Sequence, residues 1–475
     1  MKPLIKFGFN KTAGIDDLTI EHIKYAHPSL IKILAKCFDI YAHCGSVPDD
    51  FGRGVMKPIP KFKGVKKNCN VDDFRGITIC SIISKIFEHC ILRHFNEITT
   101  SIRQFGFKKN SSCHMAIYSV KRVINYFNDR GSTVAVGSID LRKAFDKVNH
   151  YGLLCTLQQK HINARILDLL ENWMEKSNAV IDWMKTVSAP VACSAGVRQG
   201  SVLSPVLFSL FVDSVLERLK SSGLGCIVNF ECHNSFMYAD DLILLSNSVT
   251  DMQAMFNLCA ELFHNLDLPI NLEKCHWMRI GPRHNSTCAP LFLNNTLINC
   301  VSESKFLGST FCSGKKLCWG LNELKNKFYR NANMILGRIG NTSCEHVILK
   351  LIKTQGLQTL LYGVTASDLA SSELGCLDFA YNGVFVKVFN VKTIENIRLC
   401  QFYSGNLTFS HMYELQRYKF LKTMLELKIL VPQSSIDARE YRDYCNIKCK
   451  YNLDDKDSSQ STLTKFWIHF KSTVI

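Results

Sequence analysis

No stretch of this 475-residue chain is apolar for long enough to cross a membrane. The longest apolar-rich run, Val202 to Leu219, is cut by Pro205, Asp213, Glu217 and Arg218, and it reads as a buried helix. Met1 to Asp17 holds lysines and a glycine but not the sustained apolar core of a secretory signal, which argues against export. The 21 cysteines are odd in number and follow no repeating frame, so they read as reduced thiols of a nuclear or cytosolic protein, not as a disulfide scaffold. Internal repeats and low-complexity tracts are missing too, which excludes a solenoid. Acid is in short supply: 41 Asp and Glu against 57 Lys and Arg leave a net charge of +16. With a pI near 9.0, that balance favours a polyanionic partner, nucleic acid above all. The length allows two or three domains with a substantial core.

The chain is organised around Phe236-Met237-Tyr238-Ala239-Asp240-Asp241-Leu242-Ile243-Leu244-Leu245. Short apolar runs on either side of a polar pair predict two buried strands and a hairpin tip. Adjacent carboxylates repel, and either water or a divalent cation resolves the conflict. A solvated turn and a metal site are therefore the two readings of Asp240 and Asp241 taken alone.

Elsewhere, apolar spacing predicts a helical segment through Ile23, Leu30, Leu34 and Phe38, and further helices over 84–95, 115–127 and 251–266. Residues 52–75 are basic and extended, because Pro58 and Pro60 exclude a helix. The lysines from Lys57 to Lys67 form either a solvated face or a phosphate groove. Thr133 to Ile139 is a short β-rich run ending at Asp140, which suits a metal ligand or a helix N-cap. Gly196-Val197-Arg198-Gln199-Gly200-Ser201 leads into a helix in which Ser201 is the expected cap and Pro205 an early residue. From about residue 313 helical spacing takes over, at 321–336, 345–353 and 357–364, and predicts a separate, mainly helical module. The tail from Asp437 is polar and mixed, with 458–464 expected to be flexible. Cys445, Cys449 and His469 are too few and too irregular for a zinc site.

Seven blocks in order carry a resemblance. They are Asp73-Phe74-Arg75-Gly76-Ile77, Gln104-Phe105-Gly106-Phe107, Asp140 through Asp146, Gly196 through Pro205, Tyr238-Ala239-Asp240-Asp241, Leu272-Glu273-Lys274 and Phe306-Leu307-Gly308. The sequence resembles the reverse transcriptase of non-LTR (LINE-type, jockey-like) retrotransposons over roughly residues 11–310, and Leu360-Leu361-Tyr362-Gly363 is similar to the region after the polymerase core. The resemblance implies an α+β, right-hand polymerase fold with fingers, an antiparallel-sheet palm and a mainly helical thumb. Residues 1–51 would be an N-terminal helical extension of the fingers and 52–310 the reverse transcriptase domain, with fingers at about 52–132 and palm at about 133–310. Residues 311–475 would be the helical thumb and C-terminal region. An endonuclease domain and a terminal zinc knuckle, usual in complete elements, are not found, so a fragment or truncated copy is expected.

The implied activity is RNA-directed DNA polymerisation: a DNA primer is extended on template RNA with dNTP by two-metal nucleotidyl transfer. Asp140, Asp240 and Asp241 would hold two Mg2+ ions (Mn2+ is the alternative) roughly 3.5–4 Å apart. Lys274 matches a family lysine near the triphosphate and would be a general acid; a plain surface lysine is the other reading. Arg75, Lys57 and Lys61 are the triphosphate candidates, with Arg75 favoured for its bidentate fork. Gln199 and Gly200 would lie over the incoming base and template, Phe145 beneath its sugar, and Phe306, Leu307 and Gly308 at the primer end. Tyr-Ala-Asp-Asp and an aromatic at Phe145 favour DNA over RNA synthesis. No membrane is expected, and the setting is a nuclear or cytoplasmic ribonucleoprotein. An inactive retrotransposon relic and a non-catalytic RNA-binding protein are the alternatives.

Overall fold

The computed structural model describes every residue except 1–6, 63–68, 96–99, 185, 340–343, 430–433, 435 and 475. The architecture is α+β. Its centre is a six-stranded sheet in the order Leu291–Leu293, Thr296–Cys300, His276–Ile280, Val134–Ile139, Asp241–Ser246, Ser235–Tyr238. All neighbours are antiparallel except His276–Ile280 with Thr296–Cys300. Side chains alternate across a strand, so each of these strands serves two faces. Val134, Val136, Phe236, Ile243, Leu245, Met278 and Ile280 enter one hydrophobic cluster. Ala135, Ile139, Met237, Leu242, Leu244 and Trp277 enter another, with the helices Ser204–Ser221 and Val249–Asn265. Burial on both faces explains why these strands read as continuous apolar runs.

A second sheet sets Phe74–Cys80 antiparallel to Arg53–Pro60, which in turn runs parallel to Asn178–Trp183. The parallel pairing stops at Met56. Pro58 and Pro60 thus lie where the strand has a partner on one side only, a position that tolerates a missing N–H. The basic stretch is a strand up to Pro60, and its continuation at residues 63–67 lies outside the described residues.

The expected helices are present as Ile82–Ile91, Cys113–Asn128 and Val249–Asn265. The N-terminal segment forms two helices, Ile20–Tyr25 and Ser29–Cys44, because Pro28 interrupts the first. Beyond Leu321 the chain is helical, including Leu321–Ile339, Ser371–Phe389 and Phe409–Glu426. Two points differ from the sequence reading. These helices share one continuous hydrophobic cluster with the sheet, through the Cys113–Asn128 helix. The tail is not flexible at 458–464: it forms the helices Ala438–Lys450 and Ser459–Val474, because Thr462, Phe466 and Phe470, four residues apart, are all buried.

A network of buried charges joins the Cys113–Asn128 helix to the C-terminal helices. The Lys121 ammonium, 1% exposed, lies 2.8 Å from Asp368 and 3.1 Å from Glu440. The Arg417 guanidinium bridges Asp368 at 2.5 Å and Asp443 at 2.9 Å, and Arg122 pairs with Asp437 at 2.9 Å. Among the described residues no helix is long and apolar enough to cross a membrane.

Candidate active site

Asp240 and Asp241 sit at the tip joining Ser235–Tyr238 to Asp241–Ser246, with Asp241 opposite Tyr238. The strand ending at Ile139 pairs with Leu242, and the same register carried one residue further sets Asp140 across from Asp241. Directly opposed residues of an antiparallel pair have Cβ atoms roughly 4.5–5.5 Å apart. The structure thus sets Asp140 beside two adjacent acids a hundred residues further along the chain. Burial pushes the Asp240 carboxyl up, helped by Asp140, while Arg75 and Lys274 pull it down. Burial, then Asp240 and Asp140, push Asp241 up to about 6.

The tip is fixed by a residue that the sequence reading placed in a plain turn. Gln104 is fully buried. Its Oε1 accepts the N–H of Ala239 at 3.1 Å and of Gly106 at 2.8 Å, and its Nε2 donates to the Ala239 carbonyl at 3.4 Å. Ala239 has a positive φ of 56°, an unfavourable backbone for alanine, so the amide clamp holds a turn that needs holding. Residues 103–105 run along the free edge of Ser235–Tyr238: Met237 N–H donates to Arg103 O at 2.9 Å and Phe105 N–H to Met237 O at 2.8 Å. The QFGF block held the only signal of this role, an amide beside two aromatics.

Lys274 Nζ lies 2.9 Å from Asp140 Oδ2, and Asn271 Nδ2 donates to the same oxygen at 3.2 Å. Arg75 is exposed and acts on Asp240 through its charge. The other two triphosphate candidates are engaged elsewhere. Lys57 shares a face of the Arg53–Pro60/Phe74–Cys80 ladder with Arg75, but its ammonium lies 3.3 Å from Asp182. Lys61 Nζ donates to the Asp72 carbonyl at 2.8 Å, while the Asp72 carboxylate holds Arg142 and Lys143.

Phe145 is half-buried in the short turn Ala144–Lys147. Its ring stacks on Phe208 with centroids 4.5 Å apart and meets Phe107 edge-on at 5.8 Å. The 196–203 loop lies beside it: Val197 N–H donates to Phe145 O at 2.8 Å, and Gln199 Nε2 to Asp146 Oδ1 at 3.1 Å. Gly200 packs closely against the neighbouring strand. Its close approach is to the protein itself, since a Cβ there, at φ 130°, would lie 2.2 Å from the Thr78 carbonyl oxygen. Gln199 O accepts Thr78 N–H at 2.7 Å, so the loop is docked on the Phe74–Cys80 strand.

Phe306 needs a correction. It is buried in the core, 6.2 Å from Phe311, because its strand alternates inward at that position. Only the turn after it is offered outward. Leu307 and Gly308, with φ of 47° and 81°, make a two-residue turn between Glu303–Phe306 and Ser309–Cys312. Tyr362 clasps this turn: its hydroxyl donates to Leu307 O at 2.8 Å, and a Cβ on Gly308 would meet the Tyr362 ring at 2.8 Å. Tyr238 and Tyr362 both border Cys113 and are both pushed up to about 12, Tyr238 mainly by the thiol and Tyr362 mainly by burial.

The three carboxylates offer oxygen donors only, which suits a hard divalent cation, and their mutual repulsion is what such an ion relieves. Lys274 neutralises Asp140 instead, and among the described residues no three His, Cys, Asp or Glu side chains are drawn together tightly enough to enclose a metal ion.

Residues 59–311 match the family described as Reverse transcriptase (RNA-dependent DNA polymerase), which is more than half of the chain. The chain belongs to this reverse transcriptase family. The resemblance read from the seven sequence blocks is borne out, as is the α+β fold class. The chain is 24% identical over 308 residues to the Retrovirus-related Pol polyprotein from type-2 retrotransposable element R2DM of Drosophila melanogaster, covering 63% of this chain and 29% of that one. It is 27% identical over 323 residues to the RNA-directed DNA polymerase from mobile element jockey of the same organism, covering 65% and 34%. The chain thus spans about a third of the length of these relatives. A solved telomerase of Candida albicans, in complex with a fragment of telomeric RNA, is similar at a TM-score of 0.45 and 11% identity, covering 78% of this chain and 68% of that one.

Proposed function

We propose that this chain is the RNA-directed DNA polymerase of a non-LTR retrotransposon, extending a DNA primer on template RNA with deoxynucleoside triphosphates. The observation that carries the reading is the strand register that sets Asp140 across from the Asp240–Asp241 hairpin tip, with burial and repulsion pushing the last two carboxyls up. A pure RNA binder gains nothing from such a cluster. Asp140 and Asp240 would hold two Mg2+ ions, or Mn2+ in their place, with Asp241 in support. Bound there, the ions supply positive charge to the oxygens that enter and leave phosphorus. Arg75 binds and orients the triphosphate beside Asp240. Lys274, whose Nζ lies 2.9 Å from Asp140, would give a proton to the departing pyrophosphate. Phe145 lies beneath the sugar, and the Leu307–Gly308 turn supports the primer end through its backbone. In this reading the fingers are about 52–132, the palm about 133–310 and the thumb follows, and the protein works as a nuclear or cytoplasmic ribonucleoprotein.

The test is primer extension on a homopolymer RNA template with dNTP and magnesium. Templated extension is expected, and Asp240→Asn should lower it by about 10²–10³-fold while sparing RNA binding. An intact, folded wild type that binds RNA yet never extends is the relic outcome and contradicts the proposal.

A further inference from the structure

Glu88 is buried, 4% exposed, and has no part in the chemistry above. It lies on the Ile82–Ile91 helix, yet its Oε2 gathers three donors from a loop more than a hundred residues away. Ser201 Oγ donates at 2.8 Å, Leu203 N–H at 2.9 Å, and Val202 N–H donates as well. These donors stand at the start of the Ser204–Ser221 helix, whose flanking residue Leu203 has no side-chain acceptor for them. A carboxylate there also meets the positive end of the helix dipole. Ser201 Oγ in turn accepts the Ser204 N–H at 3.3 Å, so Glu88, reaching in from outside, and Ser201 cap this helix together.

What that helix and loop carry gives Glu88 a consequence for function. Just before Ser201, Gln199 reaches Asp146 and Gly200 rests on Thr78. Farther into the helix, Phe208 stacks on Phe145 at 4.5 Å. A cavity of about 60 Å³ lies against the loop, lined among others by Glu88, Trp173, Arg198 and Leu203, so tight packing does not fix the loop by itself. Polar anchors do: Glu88 on one side and, on the other, Arg198, which donates to Phe51 O at 3.0 Å and Ser177 Oγ at 2.9 Å. The carboxylates Asp140, Asp240 and Asp241 hang on different elements, outside this clamp.

We propose that Glu88 is the positioning residue that sets the Gln199–Gly200 loop and, through Phe208, the Phe145 ring, and so governs nucleotide affinity and the choice of sugar. Glu88 itself touches no substrate. The inference rests on the polymerase reading and deepens it. Losing the carboxylate leaves buried donors unpaired at the helix start, so the loop and Phe208 shift while the metal-binding acids stay in place.

The test compares wild type with Glu88→Ala, Glu88→Gln and Ser201→Ala, in RNA-templated extension with dATP and with ATP. Affinity for the two nucleotides is measured separately, by the melting shift each gives. Glu88→Ala is expected to raise KM for dATP about tenfold and to lower the dATP/ATP preference, with kcat nearly unchanged. Glu88→Gln keeps an acceptor oxygen and should recover part of both effects. Ser201→Ala removes one donor of three, together with the Oγ that accepts the Ser204 N–H, and should shift both the same way by less, even if Glu88→Ala fails to fold. A loss of kcat with KM and preference unchanged, in the folded variants, overturns the positioning role. A wild type that binds dATP but never extends overturns the polymerase reading, and the affinity arm then still decides on Glu88. A wild type that binds neither nucleotide overturns both.

Discussion

Two acidic regions of this molecule are built on opposite principles. At the hairpin tip, Asp240 and Asp241 are partly buried beside Asp140 with too little positive charge near them, and their carboxyls are pushed up. Between the Cys113–Asn128 helix and the C-terminal helices, Asp368 is surrounded by Lys121, Arg417 and Arg439, and these cations hold its carboxyl well below the usual range despite burial. The first region destabilises the fold at neutral pH and the second is matched charge for charge. An acid left short of partners is poised to take a cation, whereas one with all its partners in place is structural. Their pH dependences run in opposite directions. Asp240 and Asp241 lose stability for the fold as pH rises from the ordinary carboxylate range through their raised values. Asp368 contributes stability above that range and loses it as pH falls.

The largest effect that tests this contrast is on the structural side. Asp368→Asn leaves the Lys121 and Arg417 charges buried and underpaired, and should destabilise the chain by about 3–5 kcal/mol in urea unfolding. A change within the error of the measurement would mean that the network is ornamental. Next is Phe145→Ala, which probes the chemical side. Removing the ring should lower the dNTP/NTP ratio of kcat/KM on the order of tenfold. An unchanged ratio with a less stable protein would make Phe145 only a packing partner of Phe208 and Phe107. The smallest effect is on Asp241. Asp241→Asn should stabilise the fold by about 1–2 kcal/mol at pH 8, a gain that shrinks below pH 6 and vanishes only below about pH 3, where the wild-type acid is protonated in both states. Melting curves across that range check it, and a gain that grew toward acid would reverse the assignment.

How much of this was legible in the sequence follows the range of the interactions. The hairpin at Tyr238–Asp241, the strand running to Asp140 and the helix Val249–Asn265 were readable because apolar periodicity is a local signal. The burial of Phe306 was missed for a related reason, since a turn motif does not say which of its residues alternates inward. Gln104, Glu88 and Lys121 were not recognised, because each takes its meaning from partners more than a hundred residues distant. A buried glutamate looks like any helix-surface glutamate until the helix end it caps is in place. The tail helices after Asp437 were read as polar, because a few buried aromatics in a charged background carry a weak periodicity.

The most direct test of the contrast is Asp240→Asn, with RNA-templated extension and thermal unfolding measured on the same preparation at neutral pH. Asparagine keeps the shape of the side chain and removes a charge that the fold holds at a cost. The account predicts that extension is lost while the melting temperature equals or exceeds that of wild type. Retained extension, or a loss of activity that merely follows a fall in melting temperature, would contradict it.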